Sequence, residues 1–149
     1  MMGKIISLNI SKEKGVKKNP AKRVSLVENY GIEGDAHASS QWHRQVSMLA
    51  AESIMKMKEQ GFDLDWGDFA ENITTEGVEL VSLPIGTRML LGKDVEVEVT
   101  QIGKECRQGC AVSANIGSCI MPHEGIFVKV IRGGQLTIGD RVEVIEHNK

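Results

Sequence analysis

Arg88-Met89-Leu90-Leu91-Gly92-Lys93-Asp94-Val95-Glu96-Val97-Glu98-Val99-Thr100 is the stretch that decides the fold. Val95, Val97 and Val99 face one way, and Glu96, Glu98 and Thr100 the other. Strict alternation of this kind belongs to a strand with one buried and one wet face. Arg88–Leu91 reads as a second strand. Gly92-Lys93 between the two suits a tight hairpin, with glycine supplying the positive φ.

Working outward, Pro84-Ile85-Gly86-Thr87 is a turn into the first of these strands. Ile138-Gly139-Asp140-Arg141-Val142 echoes Ile85-Gly86-Thr87-Arg88-Met89, so two similar turns enter two barrel strands. The second echo leads into a last strand over 142–145, with 146–149 as a tail. Ile126, Val128 and Val130 line one face of another strand, which Gly133-Gly134 ends. Upstream, residues 3–10 alternate with Ile6, Leu8 and Ile10 on one face, and 23–28 and 70–74 are further strand candidates. The clearest helical signal lies over 46–60, where Ala50, Ile54 and Met57 recur at helical spacing. Lys56 and Lys58 suit the last turn of that helix, and Gly61 suits its left-handed stop. Seven to nine short strands and one helix predict a mainly β chain with helical insertions. The expected architecture is a closed or half-closed β-barrel, folded as a single domain over 1–149.

The composition fits one core-forming domain: 149 residues, 41% hydrophobic and 26% charged. A formal net charge of −2 gives no basic field, and an aromatic content of 4% gives no base-stacking surface. Nucleic acid is therefore not expected as a partner. No secretory signal and no apolar run of about 20 residues is visible, so a cytoplasmic protein without a membrane span is expected. In a reducing compartment the three cysteines are expected as free thiols.

All three, Cys106, Cys110 and Cys119, lie in residues 103–125, with His123 four residues after the last. Cys106-x3-Cys110-x8-Cys119-x3-His123 offers four zinc ligands, but no tight Cys-x2-Cys knuckle marks a zinc ribbon. Lys104 and Arg107 flank Cys106 and would favour a thiolate, the form that attacks or binds soft metals. The third reading is that the thiols fill space in a core, which suits Cys119 beside Ile120 and Met121. Two other segments carry chemistry. Residues 11–22 hold Lys12, Lys14, Lys17, Lys18 and Lys22 around Pro20, a run that reads as a solvated surface. Residues 30–45 are long and turn-rich, and contain His37, His43 and Arg44.

Several of these pieces, in this order and spacing, resemble the MOSC family, the domain found at the C-terminus of molybdenum cofactor sulfurases and as small stand-alone bacterial proteins. The carriers are Gly31-Ile32-Glu33-Gly34-Asp35-Ala36-His37, Arg44-Gln45-Val46-Ser47 and Gly67-Asp68-Phe69-Ala70-Glu71-Asn72-Ile73. Leu83-Pro84-Ile85-Gly86-Thr87, Gln101 to Cys106 with Cys110, Glu124-Gly125-Ile126-Phe127 and Gly139-Asp140 complete them. The resemblance covers nearly the whole chain.

The resemblance implies a β-barrel-rich fold and a pocket with one essential cysteine that carries sulfur or ligates molybdenum of the pterin cofactor. Longer relatives have a Lys-Pro-Cys-x-x-Cys-type run whose second cysteine is the metal ligand. That favours Cys110, followed by Cys106, although three residues separate the two here. Arg44, Lys104 and Arg107 would supply charge to the cofactor, and His37 and Asn72 polar contacts. The implied partners are a cofactor or sulfur donor and a recipient molybdoenzyme. Pyridoxal phosphate is expected only in a partner sulfurase. Two alternatives stand beside this reading. One is a molybdenum-dependent reductase of N-hydroxylated compounds, as some longer members are, fed by a partner electron donor. The other is a zinc-stabilised interaction module using Cys106, Cys110, Cys119 and His123.

Overall fold

The computed structural model describes residues 2–13, 18–61, 64–103 and 124–147. The strands, in chain order, are β1 (Met2–Ile10), β2 (Asn19–Ala21), β3 (Arg23–Val27), β4 (Gly31–Ile32), β5 (Val46–Ala50), β6 (Ile73–Glu76), β7 (Thr87–Leu91), β8 (Val95–Ile102), β9 (Ile126–Arg132), β10 (Gly134–Thr137) and β11 (Arg141–His147). Helix α1 (Ala51–Glu59) follows β5 directly, and a short 3-10 turn covers Leu80–Ser82. Strands β11-β7-β8-β9-β5-β6-β1 form a ring that closes through pairing of β1 with β11, and β2 extends it beside β1. The chain is therefore mainly β, and its barrel is closed. A small second sheet, β10-β3-β4, stands beside the ring.

The hairpin that decides the fold lies inside this ring. Leu91 pairs with Val95 and Arg88 with Glu98, so the β7–β8 loop has three residues, 92–94. Val95, Val97 and Val99 are fully buried. Glu96 and Glu98 stay on the outer face, where Arg88 contacts both and Lys129 contacts Glu98. The two echoing turns also have a common geometry. Gly86 and Gly139 have φ of 97° and 95°, a region that side-chain-bearing residues rarely adopt. Each leads into one of the paired strands β7 and β11.

Two sequence expectations change. The helical reading of 46–60 is half correct. Val46–Ala50 is a strand, paired with β9 on one side and, in parallel, with β6 on the other. All five residues are buried. A strand covered on both faces loses its alternation and cannot be told from a helix segment by periodicity. In β1, Leu8 faces the core and Ile10 packs half-buried against it, as expected, but Ile5 joins them in place of Ile6. The register against β6 runs Ile5↔Thr75 and then Ser7↔Thr74, so Ile6 is the extra residue of a β-bulge that reverses the alternation.

The core divides in two. Val46, Met48, Ile126, Val128 and Val130 point into the barrel with Ile5, Leu8 and the valines of β8. Leu49 and Phe127 point outward from the same two strands and pack with Ile54, Met57, Leu64 and Phe69 in a second cluster involving α1. Phe127 is 1% exposed and belongs to this outer cluster. It is also the floor of the site described next.

Candidate functional site

The site is built outside the barrel wall, where β8 and β9 run together toward residue 103. The register against β9 passes from Val99↔Val128 to Gln101↔Phe127, so Thr100 is the extra residue of a second bulge. A bulge re-aims the side chains beside it and is common next to functional sites. Thr100 Oγ1 lies 3.0 Å from both the carbonyl oxygen and Nδ1 of His43, which ties the end of the 30–45 segment to the bulge. Gln45 ties the same segment to the barrel. Its Oε1 accepts from Val130 N at 2.9 Å, and its Nε2 donates to Ser39 O and Asn29 Oδ1 at 3.1 Å. Gly31 permits this approach. Its φ is 131°, and a Cβ there would meet Gln45 O at 2.7 Å.

Arg44 therefore lies over Phe127 with its guanidinium carbon 5.2 Å from the ring centre, and 5.5 Å from the ring of Trp42. Both are cation–π distances. Arg44 Nε donates to Gln101 Oε1 at 2.8 Å, and Gln101 Nε2 donates to Gly103 O at 2.8 Å. Gly103 N in turn donates to Gly125 O at 2.6 Å, closing the neck of the segment that contains the cysteines. One glutamine thus links the arginine to that neck. A guanidinium held through Nε keeps its planar fork oriented, which suits paired hydrogen bonds to an anion.

His37 shares the same floor, its ring centre 6.4 Å from that of Phe127. It is held by Asp35. His37 N donates to Asp35 Oδ2 at 2.9 Å, and Nδ1 lies 3.5 Å from that oxygen. The other carboxylate oxygen accepts from Lys18 Nζ at 2.9 Å and Ser11 N at 3.0 Å. Lys18 also donates to Ser11 Oγ at 2.9 Å. The side chains of Lys18 and Asp35 are both 0% exposed. Burial pushes the Asp35 carboxyl up, but the hydrogen bonds from His37 and Lys18 and the Lys18 charge outweigh it. The group is held well below the usual carboxylate range.

A neighbouring loop, 67–72, is built around another buried carboxyl. Glu71 accepts from Gly67 N at 2.9 Å, Phe69 N at 3.2 Å and Thr74 Oγ1 at 2.9 Å. Burial pushes its pKa up, against the pull of the N–H and hydroxyl donors. Asn72 is fully buried beside it. Its Oδ1 accepts from Ser47 N at 2.9 Å, its Nδ2 donates to Asn9 O at 3.1 Å, and its N donates to Ser47 Oγ at 2.9 Å.

A sequence model of the MOSC domain matches residues 33–143. The chain belongs to the MOSC domain family. Crystal structures share the fold at low identity. YuaD from Bacillus subtilis has a TM-score of 0.78 at 19% identity, covering 99% of this chain and 98% of its own. YiiM from Geobacillus stearothermophilus has a TM-score of 0.74 at 20% identity, covering 98% and 76%. YiiM from Escherichia coli has a TM-score of 0.70 at 15% identity, covering 100% and 72%. Comparison with curated proteins finds no sequence relative. The MOSC domain is associated with the molybdenum cofactor, so this is a molybdenum-cofactor-related domain.

In this MOSC domain His37 and Arg44, two of the residues expected in the site, share the Phe127 ring. Asn72 is placed differently: its amide hydrogen-bonds to Ser47 and Asn9 and locks the framework beneath the loop. Cys106, Cys110, Lys104 and Arg107, and the zinc candidates Cys119 and His123, lie outside the described residues. Among the described residues no group of three His, Cys, Asp or Glu forms a metal site, and no helix is long and apolar enough to cross a membrane. Lys18 corrects the reading of its basic run, because its side chain is buried and paired. The roles of Lys18, Gln101 and Phe127 have no local signature. Their partners lie 17, 57 and, from Phe127 back to Arg44, more than 80 residues away in the chain. A cleft of about 510 Å³ lies elsewhere, beside α1, and includes Ser53, Lys56, Leu80 and Glu124.

The described residues fit an anionic cofactor. A half-buried arginine fork lies against two aromatic rings, one of which, Phe127, also has the His37 ring 6.4 Å away. Neither terminal nitrogen of Arg44 has a hydrogen-bond partner shown among the described residues. A phosphate takes such a fork bidentately.

Proposed function

We propose that this MOSC protein binds the molybdenum cofactor and handles sulfur for it, or delivers it to recipient molybdoenzymes. Arg44 would hold the anionic end of the pterin, and Cys110, or failing it Cys106, would act as the thiolate that carries sulfur or ligates molybdenum. When bound, the cofactor supplies a metal centre able to exchange electrons and sulfur. The chain's own residues orient it. Arg44 gives charge and a planar fork, Phe127 a dry floor, and Gln101 a fixed distance from Arg44 to the cysteine-segment neck. The observation that carries the reading is this last link, Arg44 Nε to Gln101 at 2.8 Å and Gln101 to Gly103 O at 2.8 Å. It ties the best anion-binding side chain to the segment that holds all three cysteines.

Lys104 and Arg107 would add charge from that segment and favour the thiolate. The partners on this reading are a cofactor or sulfur donor and a molybdoenzyme acceptor. The test is to purify wild type, Arg44→Met, Cys106→Ala and Cys110→Ala from a host that makes the cofactor, and to measure molybdenum and pterin in each. Wild type is expected to carry both, Arg44→Met to lose pterin, and Cys110→Ala to lose molybdenum or the ability to take up persulfide sulfur. A wild-type protein with no molybdenum, no pterin and no persulfide after exposure to a sulfurase would overturn the proposal.

A further inference from the structure

We propose that His43 completes the anion site of Arg44. Its Nε2 is the unprotonated nitrogen of the neutral ring, and it accepts a hydrogen bond from a phosphate group that holds a proton. The Arg44 fork takes that group's other oxygens. This rests on the reading of Arg44 as the residue that holds an anion. It adds a second binding residue and a selectivity among oxyanions.

The tautomer follows from Thr100. A threonine hydroxyl has one proton to give and two lone pairs. Thr100 Oγ1 lies 3.0 Å from His43 O and 3.2 Å from Phe127 O, two carbonyls that can only accept. His43 O has no other donor among the described residues, so turning the hydroxyl away would strand it. The proton of Thr100 therefore goes to a carbonyl, and a lone pair of the same oxygen faces His43 Nδ1 at 3.0 Å. A hydrogen bond at that distance then needs a proton on Nδ1. In the neutral ring this makes Nε2 the acceptor. It aims away from Thr100, because the two ring nitrogens point in nearly opposite directions. Nε2 has no partner among the described residues.

Consecutive residues of β8 hold the two binding groups in the same way. Thr100 takes Nδ1 of His43 and Gln101 takes Nε of Arg44, in each case the nitrogen nearer the backbone, and the outer nitrogens are left. The bulge at Thr100 makes this possible, since neighbouring side chains of a regular strand face opposite sides. Both groups also lie against the Trp42 ring, the imidazole centre at 4.8 Å and the guanidinium carbon at 5.5 Å. A neutral acceptor beside a guanidinium selects among anions. Hydrogen phosphate offers it an O–H. Sulfate offers only lone pairs, so Nε2 would face an oxygen with no proton between them. Sulfate can fit only when His43 itself brings the proton, as imidazolium. Among the described residues the charged groups about His43 are Arg44 on its own segment, Glu98 on β8 before Thr100 and Lys129 on β9 after Phe127. Glu98 pairs with Arg88 at 3.4 Å and Lys129 at 3.7 Å and makes no ion pair with His43.

The test pairs nitrogen-detected NMR of the histidine rings with anion titration by calorimetry. On the alkaline side, where the ring spectrum shows His43 neutral, hydrogen phosphate and sulfate are both dianions and only the first has a proton to give. Wild type is expected to hold the Nδ1–H tautomer of His43 there, and to bind hydrogen phosphate about tenfold more tightly than sulfate. At acid pH, where the spectrum shows imidazolium, sulfate binding is expected to rise toward that of phosphate. His43→Asn keeps a donor for Thr100 and removes Nε2. It is expected to lose both the preference and the acid gain in sulfate binding, a result that a merely structural His43 would not give. Arg44→Met is expected to lose both anions. Methyl phosphate separates two sources of the same chemistry: binding while it holds its last proton marks an ester terminus, and exclusion marks free phosphate. An Nε2–H tautomer in wild type overturns the proposal, and that reading needs no variant to fold. Equal affinity of wild type for the two anions on the alkaline side, or a preference that survives in His43→Asn, also overturns it and leaves the Arg44 site standing. A wild type that binds neither anion removes the Arg44 site as well. These readouts are independent of whether molybdenum copurifies.

Discussion

Two loops of this molecule are each built around a buried carboxyl, and they solve the burial problem in opposite ways. Asp35 organises the 34–37 turn with a buried lysine beside it. Glu71 organises the 67–72 loop with neutral donors alone: two backbone N–H groups and the Thr74 hydroxyl. The cation lets Asp35 stay ionised, while Glu71 is pushed toward its neutral form. The difference follows the surroundings. Asp35 stands behind His37, at the edge of a site suited to anions, where a fixed charge can act on a titrating ring. Glu71 stands in the framework, between loop and barrel, where a charge would have nothing to act on.

Removing the lysine tests the first half of the comparison most severely. Lys18→Met leaves a buried carboxylate without its cation, a change that typically costs about 3–5 kcal/mol. Urea unfolding at neutral pH is expected to show that loss. The sign of its pH dependence follows from Asp35. Its folded pKa lies below the ordinary 3.8, so its contribution is present above that value and is lost as pH falls through the folded one. The deficit of Lys18→Met is therefore expected to shrink toward acid. A deficit that stays constant from pH 2 to about 6 would break the assignment of Asp35 as the ionised partner.

Glu71→Gln probes the other half, with a smaller effect of the opposite pH sign. Glutamine keeps one acceptor oxygen but turns an N–H₂ toward a backbone N–H, and stranding that donor costs about 1–3 kcal/mol. The folded pKa of Glu71 lies above the ordinary 4.5, so the native state is favoured by protonation and loses stability as pH rises past that value. The gap between wild type and Glu71→Gln is therefore expected to be widest near pH 4 and to narrow toward neutrality. Parallel curves for the two proteins would show that Glu71 is not the raised group.

These two carboxyls also mark what could be read from the chain alone. The hairpin at 88–100 was legible because one face is wet, and wet faces alternate. Val46–Ala50 was not, because burial on both sides removes alternation, and its parallel partner β6 lies more than 20 residues away. Ile6 and Thr100 are bulge residues, and a bulge shifts the register without leaving a mark in the pattern. In the site, His37 and Arg44 were legible as residue types in a long turn-rich segment. Their common floor was not, since Phe127 reads as one more apolar residue of a strand. Lys18 reads as solvated because four other lysines share its stretch of chain, but burial of a lysine is decided by a carboxylate 17 residues on.

Arg44→Met separates function from stability. The side chain contributes two ring contacts and one hydrogen bond at a half-buried position, so its loss is expected to cost about 1 kcal/mol or less. Anion binding should fall far more, by tenfold or beyond for one bidentate charged contact at roughly 1.5–3 kcal/mol. Phosphate titration followed by NMR, beside the urea curve, reads both. Equal small effects on the two would remove Arg44 from the site.

The smallest change belongs to a third carboxylate, and it shows whether burial or pairing sets these magnitudes. Glu124 accepts from Lys56 Nζ at 2.9 Å, the same distance as in the Lys18–Asp35 pair. Here, however, the lysine side chain is 63% exposed and the glutamate 27%. Water already solvates both groups, so little desolvation is at stake when one is removed. Ser53 Oγ also donates to the same glutamate oxygen at 2.7 Å and would remain. Lys56→Ala is therefore expected to cost only about 0–0.5 kcal/mol, and less still in 0.5 M salt. Identical geometry would then give roughly a tenfold difference in free energy between the buried and exposed lysines. If Lys56→Ala instead cost as much as Lys18→Met, pairing distance alone would govern both, and the distinction drawn between Asp35 and Glu71 would lose its physical basis.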